Sequence, residues 1–253
     1  MTAMCGRFTI KTPLSDLKDA FDVEEVDPDL LEQPERFNVA PTQAVPVVRA
    51  AAEQPARRRL SLLRWGLVPS WARDLKSGHR AINARAETVD TTPTFRGAFS
   101  RRRCLVLADG FYEWRREGRV RLGHWIRRRD GRPFAMAGLW ERWRGPDGAL
   151  DPPLETCTII TTDANEVVAP IHDRMPVILD PEDLARWLDP REVRGGTLEP
   201  LLRPCPARLL ERVPVGPFVN DARHEGPRCV EPYSEPPAAA PRPEQPGLFP
   251  GLP

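Results

Sequence analysis

The sequence predicts an α+β domain built on a curved, mostly antiparallel β-sheet. Two observations carry this. Short runs of β-branched and aromatic residues, closed off by glycine, proline or aspartate, recur along most of the 253 residues, while helical periodicity is confined to a few short stretches. The strands also do not alternate with helices of crossover length, which a parallel α/β sheet requires. No internal repeat is visible.

Each element has its own local reason. Residues 5–10 (Cys-Gly-Arg-Phe-Thr-Ile) read as a first strand. Residues 13–21 place Leu14, Leu17 and Phe21 on one helical face, with Thr12 as the expected N-cap. A polar, proline-marked connection over 27–34 precedes a short strand at 45–48. After a loop with an arginine run, a strand at 60–67 ends in Trp65-Gly66-Leu67-Val68-Pro69-Ser70-Trp71, and the segment 82–88 follows. A strand at 104–108 turns at Asp109-Gly110 into 111–114. Trp125-Ile126, 134–137 and 157–162 read as further strands. A short helix is expected from 165 to 168, and a second over 181–188 with Asp180 at the N-cap and Pro181 at N1. Residues 209–213 close the sheet. From about Glu231 the chain turns proline-rich and cannot bury a core. The expected division is therefore one domain over 1–231 and a disordered tail over 232–253.

Composition narrows the chemistry. The net charge is only +1, so no bulk positive field argues for nucleic acid. Lysine occurs only at Lys11, Lys18 and Lys76; the other basic residues are arginines, which fork phosphates bidentately and stack on bases. The arginine runs at 57–59, 101–103 and 127–129 fit solvated loops or strand ends. Five cysteines without a C-x-x-C pair support neither a disulfide framework nor a zinc site, and Cys104 and Cys157 sit in apolar runs as core residues. No run approaches the ~20 apolar residues of a membrane span, and no signal core opens the chain. The expectation is a soluble, cytoplasmic, nucleoid-associated monomer without metal or cofactor.

The most informative stretch is Met4-Cys5-Gly6-Arg7-Phe8. If Met4 is the start and is removed, Cys5 carries a free α-amine beside its thiol. An aminothiol captures an aldehyde: the amine forms a Schiff base, and the thiolate closes a five-membered thiazolidine. An α-amine titrating near ~7.8 is about one-seventh neutral at pH 7, whereas a lysine near ~10.4 is neutral to about one part in a few thousand. The same residues also read simply as the start of a strand.

Three further polar clusters interrupt apolar runs: Ile82-Asn83-Ala84-Arg85-Ala86-Glu87-Thr88, Asp109-Gly110-Phe111-Tyr112-Glu113-Trp114 and Pro170-Ile171-His172-Asp173-Arg174-Met175-Pro176. Singly, Asn83 fits a turn cap, Glu113 an arginine partner and His172 a hydrogen-bonded loop residue. Together with Phe37-Asn38-Val39-Ala40-Pro41-Thr42-Gln43, the Trp65–Trp71 segment and Ala137-Gly138-Leu139-Trp140-Glu141, they resemble the SOS-response-associated peptidase (SRAP) family, whose members crosslink to abasic sites in single-stranded DNA. The resemblance spans residues 4–232. It implies a curved sheet or barrel with flanking helices and one cleft in which these segments meet.

Carried over residue by residue, the resemblance makes Cys5 the thiazolidine-forming residue, Asn83 the positioning amide, Glu113 the proton shuttle and His172 the histidine beside the adduct. Arg7 and Arg85 match phosphate contacts. Pro41 and the segment from Trp65 to Trp71 match a base-stacking wall, and Thr161 is a further DNA-contact candidate. A thiol peptidase cutting its own N terminus through Cys5, a lyase-type activity and a non-catalytic single-strand-binding module are the competing readings. One departure concerns Met1-Thr2-Ala3, which precede the motif: the aminothiol exists only if translation starts at Met4 or the chain is cut before Cys5. In the tail, Gln245, Leu248 and Phe249 resemble the short peptides that bind the bacterial sliding clamp.

Overall fold

In the computed structural model the described residues are 6–30, 33–51, 54, 56–118, 120–192 and 195–234. The strands among them are β1 (Phe8–Ile10), β2 (Glu25–Val26), β3 (Arg36–Val39), β4 (Ala44–Ala50), β5 (Arg58–Trp65), β6 (Asn83–Arg85) and β7 (Arg103–Ala108). They continue as β8 (Gly110–Glu117), β9 (Val120–Arg128), β10 (Phe134–Trp143), β11 (Leu154–Asp163), β12 (Arg174–Pro176) and β13 (Leu210–Val215). Strands β11, β10, β7, β4 and β5 lie side by side in that order. Parallel pairing of Arg64 with Thr156 and Trp65 with Cys157 then joins β5 back to β11 and closes a small barrel. Strands β6 and β12 both grip the end of β11. A second, antiparallel sheet runs β13-β9-β8-β1-β3. The helices Leu14–Ala20, Arg96–Arg101 and Leu184–Leu188 are short and flank the sheets. The α+β class read from the sequence is the class observed. No helix among the described residues is long and apolar enough to cross a membrane.

Three local expectations are corrected. Asp109-Gly110 is a crossing between sheets rather than a hairpin: β7 pairs with β10 and β4, whereas β8 pairs with β1 and β9. Gly110 is required there, because a Cβ would lie 2.2 Å from the Trp125 indole nitrogen. Thr12 does not cap the first helix; its hydroxyl donates to Asp109, whose carboxylate also accepts the Lys11 and Thr12 backbone N–H groups. Residues 165–168 form a single capped turn instead of a helix: Asn165 Oδ1 accepts from the Val167 and Val168 N–H groups, but Pro170, without an N–H, stops the turn from lengthening. Near the end of the described residues, Pro232 bridges to Val215, and Tyr233 N–H donates to the Pro214 carbonyl at 2.9 Å. Gln245, Leu248 and Phe249 lie outside the described residues.

One side chain ties the two sheets together. Trp65, fully buried at the end of β5, packs its ring 5.2 Å from Phe8 of β1. Its indole N–H donates to the Ile82 carbonyl at 2.8 Å, immediately before β6. The next residue, Gly66, has φ +118° and passes so close to Gly78 that a Cβ would sit 2.7 Å from the Gly78 carbonyl oxygen, a site only glycine fits. Trp65→Phe removes the indole donor and part of the ring. A cost of about 2 kcal/mol is expected, which lowers the melting temperature by roughly 4–8 °C for a chain of this size. Trp71→Ala, at an exposed tryptophan, is expected to stay within about 0.5 kcal/mol of the parent; thermal unfolding of the two variants side by side checks both.

Candidate active site

Alternation along β8 separates its side chains into two environments. Tyr112 faces a small core with Phe37, Trp125, Val215 and Val219, whereas Phe111 joins the main core with Phe8, Trp65 and Ile126. Glu113 shares the Phe111 face and is only 3 % exposed. Its direct cross-strand partner on β9 is His124, 6 % exposed. On the other side of β8, Phe8 pairs with Phe111, and Tyr112 N–H donates to the Arg7 carbonyl at 3.0 Å. The paired strand ends at Phe8; counting on in the same register sets Gly6 opposite Glu113. The Cβ direction of Gly6 opens into free space. Cys5, the residue joined to Gly6, lies outside the described residues.

Arg7 points to the opposite face of β1. Its guanidinium donates to Asn38 Oδ1 (2.8 Å) and to the carbonyls of Val219 (2.8 Å) and Asn220 (3.0 Å), with the Trp114 ring 5.4 Å away. Burial, then the nearby Arg121, lower its pKa. Asn38 in turn donates to the carbonyls of Asp221 and His224 at 2.9 Å. These contacts clamp the segment after β13 onto the sheet, so Arg7 bears a structural load here.

The other two clusters converge on the end of β11. Asn83, Ala84 and Arg85 pair in parallel with Ile159, Ile160 and Thr161. On its other edge, Thr161 to Asp163 pair with Pro176 to Arg174. Arg174 is the tie. Its buried guanidinium contacts Glu87 at 2.5 and 2.9 Å, Asp163 at 2.8 Å and the Thr161 carbonyl at 2.7 Å. Hydrogen bonds from Arg174 hold the Glu87 carboxyl below its ordinary pKa. His172, two residues earlier, accepts the Arg174 N–H on Nδ1 at 3.0 Å. The same Nδ1 lies 2.9 Å from Asp173 Oδ1. The turn that His172 ends lies over the second sheet, where Arg212 of β13 contacts the Val167 carbonyl at 3.4 Å.

The structure thus links the Asn83 and His172 segments through Arg174, and the Asn83 and β1 segments through Trp65. Other site candidates take different places. Trp65 and Thr161 are fully buried, with the Thr161 hydroxyl 3.3 Å from the Ala84 carbonyl, so neither offers a surface to a base or phosphate. Pro41 is half-buried. Arg85 is exposed, and Trp71 is 66 % exposed beside a surface hollow lined by Lys76, His79 and Arg80. Ala81 lines the same hollow, two residues before Asn83. Sequence reasoning missed His124. Its only signal there was a histidine in the apolar strand that follows Glu113, and the pairing register is needed to set the two opposite.

The sequence matches the family described as SOS response associated peptidase (SRAP) over residues 4–222. It is 40 % identical over 229 residues to the abasic site processing protein YoqW of Bacillus subtilis, covering 90 % of this chain and 99 % of the relative. It is 30 % identical over 238 residues to the abasic site processing protein YedK of Escherichia coli, covering 90 % and 100 %. A crystal structure of a protein from Bacteroides thetaiotaomicron is similar with a TM-score of 0.80 at 25 % identity, covering 91 % of this chain and 100 % of that one. With a family match across most of its length and a solved neighbour sharing the fold, the chain belongs to the SOS response associated peptidase (SRAP) family.

Proposed function

We propose that the protein captures the open-chain aldehyde of an abasic site in single-stranded DNA and forms a covalent thiazolidine through the α-amine and thiol of Cys5. The observation that carries this reading is the burial of Glu113 on β8, two residues past Phe111, which pairs with Phe8 on the strand that continues the N-terminal motif. In the proposed reaction the aminothiol of Cys5 works beside this buried carboxyl. The other cysteines suit the reaction poorly. Cys104, Cys157, Cys205 and Cys229 are all buried, and burial pushes the Cys205 thiol up to about 12 and the Cys229 thiol to about 11.

The chemistry sets the tasks. An abasic sugar is mostly a closed hemiacetal. Opening it breaks the bond from C1 to the ring oxygen and moves the anomeric hydroxyl proton to that oxygen, which calls for a positioned base and acid. Glu113 takes the proton and returns it. The Cys5 amine then adds to C1 and its proton passes to the new hydroxyl, giving a carbinolamine. Protonation of that hydroxyl by Glu113 releases water and leaves the C1=N iminium. The thiol adds to C1, its proton returns to Glu113, and the ring closes. The sum is aldehyde plus aminothiol to thiazolidine plus water. Asn83 orients the sugar-derived chain, and His172 stands beside the adduct. Arg85 holds a phosphate without reading sequence, and Trp71 offers a ring to any flanking base.

Three outcomes are expected. Protein beginning at Cys5 gives an SDS-stable adduct with an abasic single-stranded oligonucleotide, and protein carrying a retained Thr-Ala-Met leader gives none; equal adduct from both, or peptide turnover without adduct, would contradict the mechanism. Glu113→Gln slows adduct formation by roughly 10²–10⁴-fold while binding to a non-reactive analogue is kept. Arg85→Ala weakens binding and reduces the slope of log K against log salt by about 0.7, the value for one phosphate on a single strand; a salt titration reads it directly.

A further inference from the structure

We propose that His124 is the positioning partner of Glu113: the imidazole holds the carboxylate in the cleft and gives the pair a second site for the proton that the reaction moves. The proposal deepens the reading of Glu113 as proton shuttle and rests on it. Three observations lead to it. Glu113 and His124 are direct cross-strand partners in the β8–β9 ladder. Because Tyr112 directs its N–H to β1, Glu113 directs its backbone to β9, and such a hydrogen-bonded pair holds its α-carbons about 5.5 Å apart with both side chains on one face. Both residues are almost wholly buried. The surroundings of His124 also favour this one polar neighbour: its partner on β13 is Pro214, and its neighbours on the same face of β9 are Leu122 and Ile126.

An imidazole removed from water at an otherwise apolar position of a strand is costly unless its nitrogens are used. A neutral His124 donates a ring N–H to the Glu113 carboxylate. This fixes the carboxylate rotamer and keeps it ionised, as the ring-opening step needs a base. When the pair holds one more proton, the imidazolium–carboxylate couple delivers it to the carbinolamine hydroxyl as water departs. The thiol proton released on ring closure restores the couple, so no proton is gained or lost overall. Among the described residues, the charged groups that share this face include Arg115 of β8, two residues beyond Glu113, Arg128 of β9, four beyond His124, and Arg212 of β13, diagonal to His124. The turn over the sheet adds His172 with its neighbour Asp173. Gly6 and Phe8 of β1 bring no charge.

The test is single-turnover crosslinking of the full chain with Cys5 at its N terminus, followed from pH 5 to 8.5, for the parent, His124→Phe, His124→Gln and Glu113→Gln. Thermal unfolding and binding to an oligonucleotide with a tetrahydrofuran abasic analogue confirm that each variant is folded and binds. The parent is expected to show an inflection in the range where histidine titrates. His124→Phe is expected to slow crosslinking roughly 10- to 100-fold. His124→Gln keeps a donor but cannot titrate, so it should recover most of the rate near pH 7.5 while the inflection disappears; a merely structural histidine would not move that inflection. The pair is overturned if His124→Gln follows the parent profile or if His124→Phe reacts at the parent rate. If Glu113→Gln itself reacts at the parent rate, the shuttle reading fails and the pair fails with it. If Glu113→Gln is slow while both His124 variants match the parent, only the pair fails.

Discussion

The arrangement of the whole site depends on what Trp65 touches. Its ring packs against Phe8, three residues from Cys5, and its indole N–H holds the Ile82 carbonyl, one residue from Asn83. The backbone of the same residue pairs with Cys157 and closes the barrel. One buried side chain therefore sets the distance between the strand that carries the N-terminal motif and the strand that carries the amide. A hydrophobic contact alone would tolerate sliding; the added hydrogen bond fixes the register. Arg174 does the equivalent work on the other flank, binding Glu87, Asp163 and the Thr161 carbonyl so that the short strands β6 and β12 hold to β11.

The fold also explains how the Glu113 carboxyl is kept from water. Period-two alternation sends Tyr112 and Trp114 to one side of β8 and Glu113 to the other, between Phe111 and Arg115. The sheet crossing at Asp109-Gly110 turns that second side toward the barrel. A Cβ on Gly6 would meet no neighbour within 4 Å.

Much of this was legible in the sequence, and the rest was hidden for identifiable reasons. The strands from 104 to 162 were visible because they are long and rich in β-branched and aromatic residues. Strand β3 was hidden, since Arg-Phe-Asn-Val carries an asparagine whose burial depends on the clamp to Arg7 and the Val219–His224 segment. The helix expected over 165–168 is cut to one turn by Pro170, and the Thr12 cap lost to Asp109, a contact that spacing cannot show. Motifs could not show the exposure of the residues they singled out. Trp65 and Thr161 proved buried, and Trp71 and Arg85 are the ones that reach the surface. His124 needed the pairing register, because no local pattern in residues 120–128 marks a histidine as lying opposite Glu113.

The account turns on one covalent bond, and the most direct measurement is the mass spectrum of the adduct. Protein reacted with an abasic oligonucleotide, then digested with protease and nuclease, should yield the peptide that begins at Cys5 joined to the sugar C1 through both nitrogen and sulfur. Its mass should be that of peptide plus aldehyde less one water. A linkage at a lysine, at an internal cysteine, or at a Cys5 that still carries Met4 on its amine would contradict it.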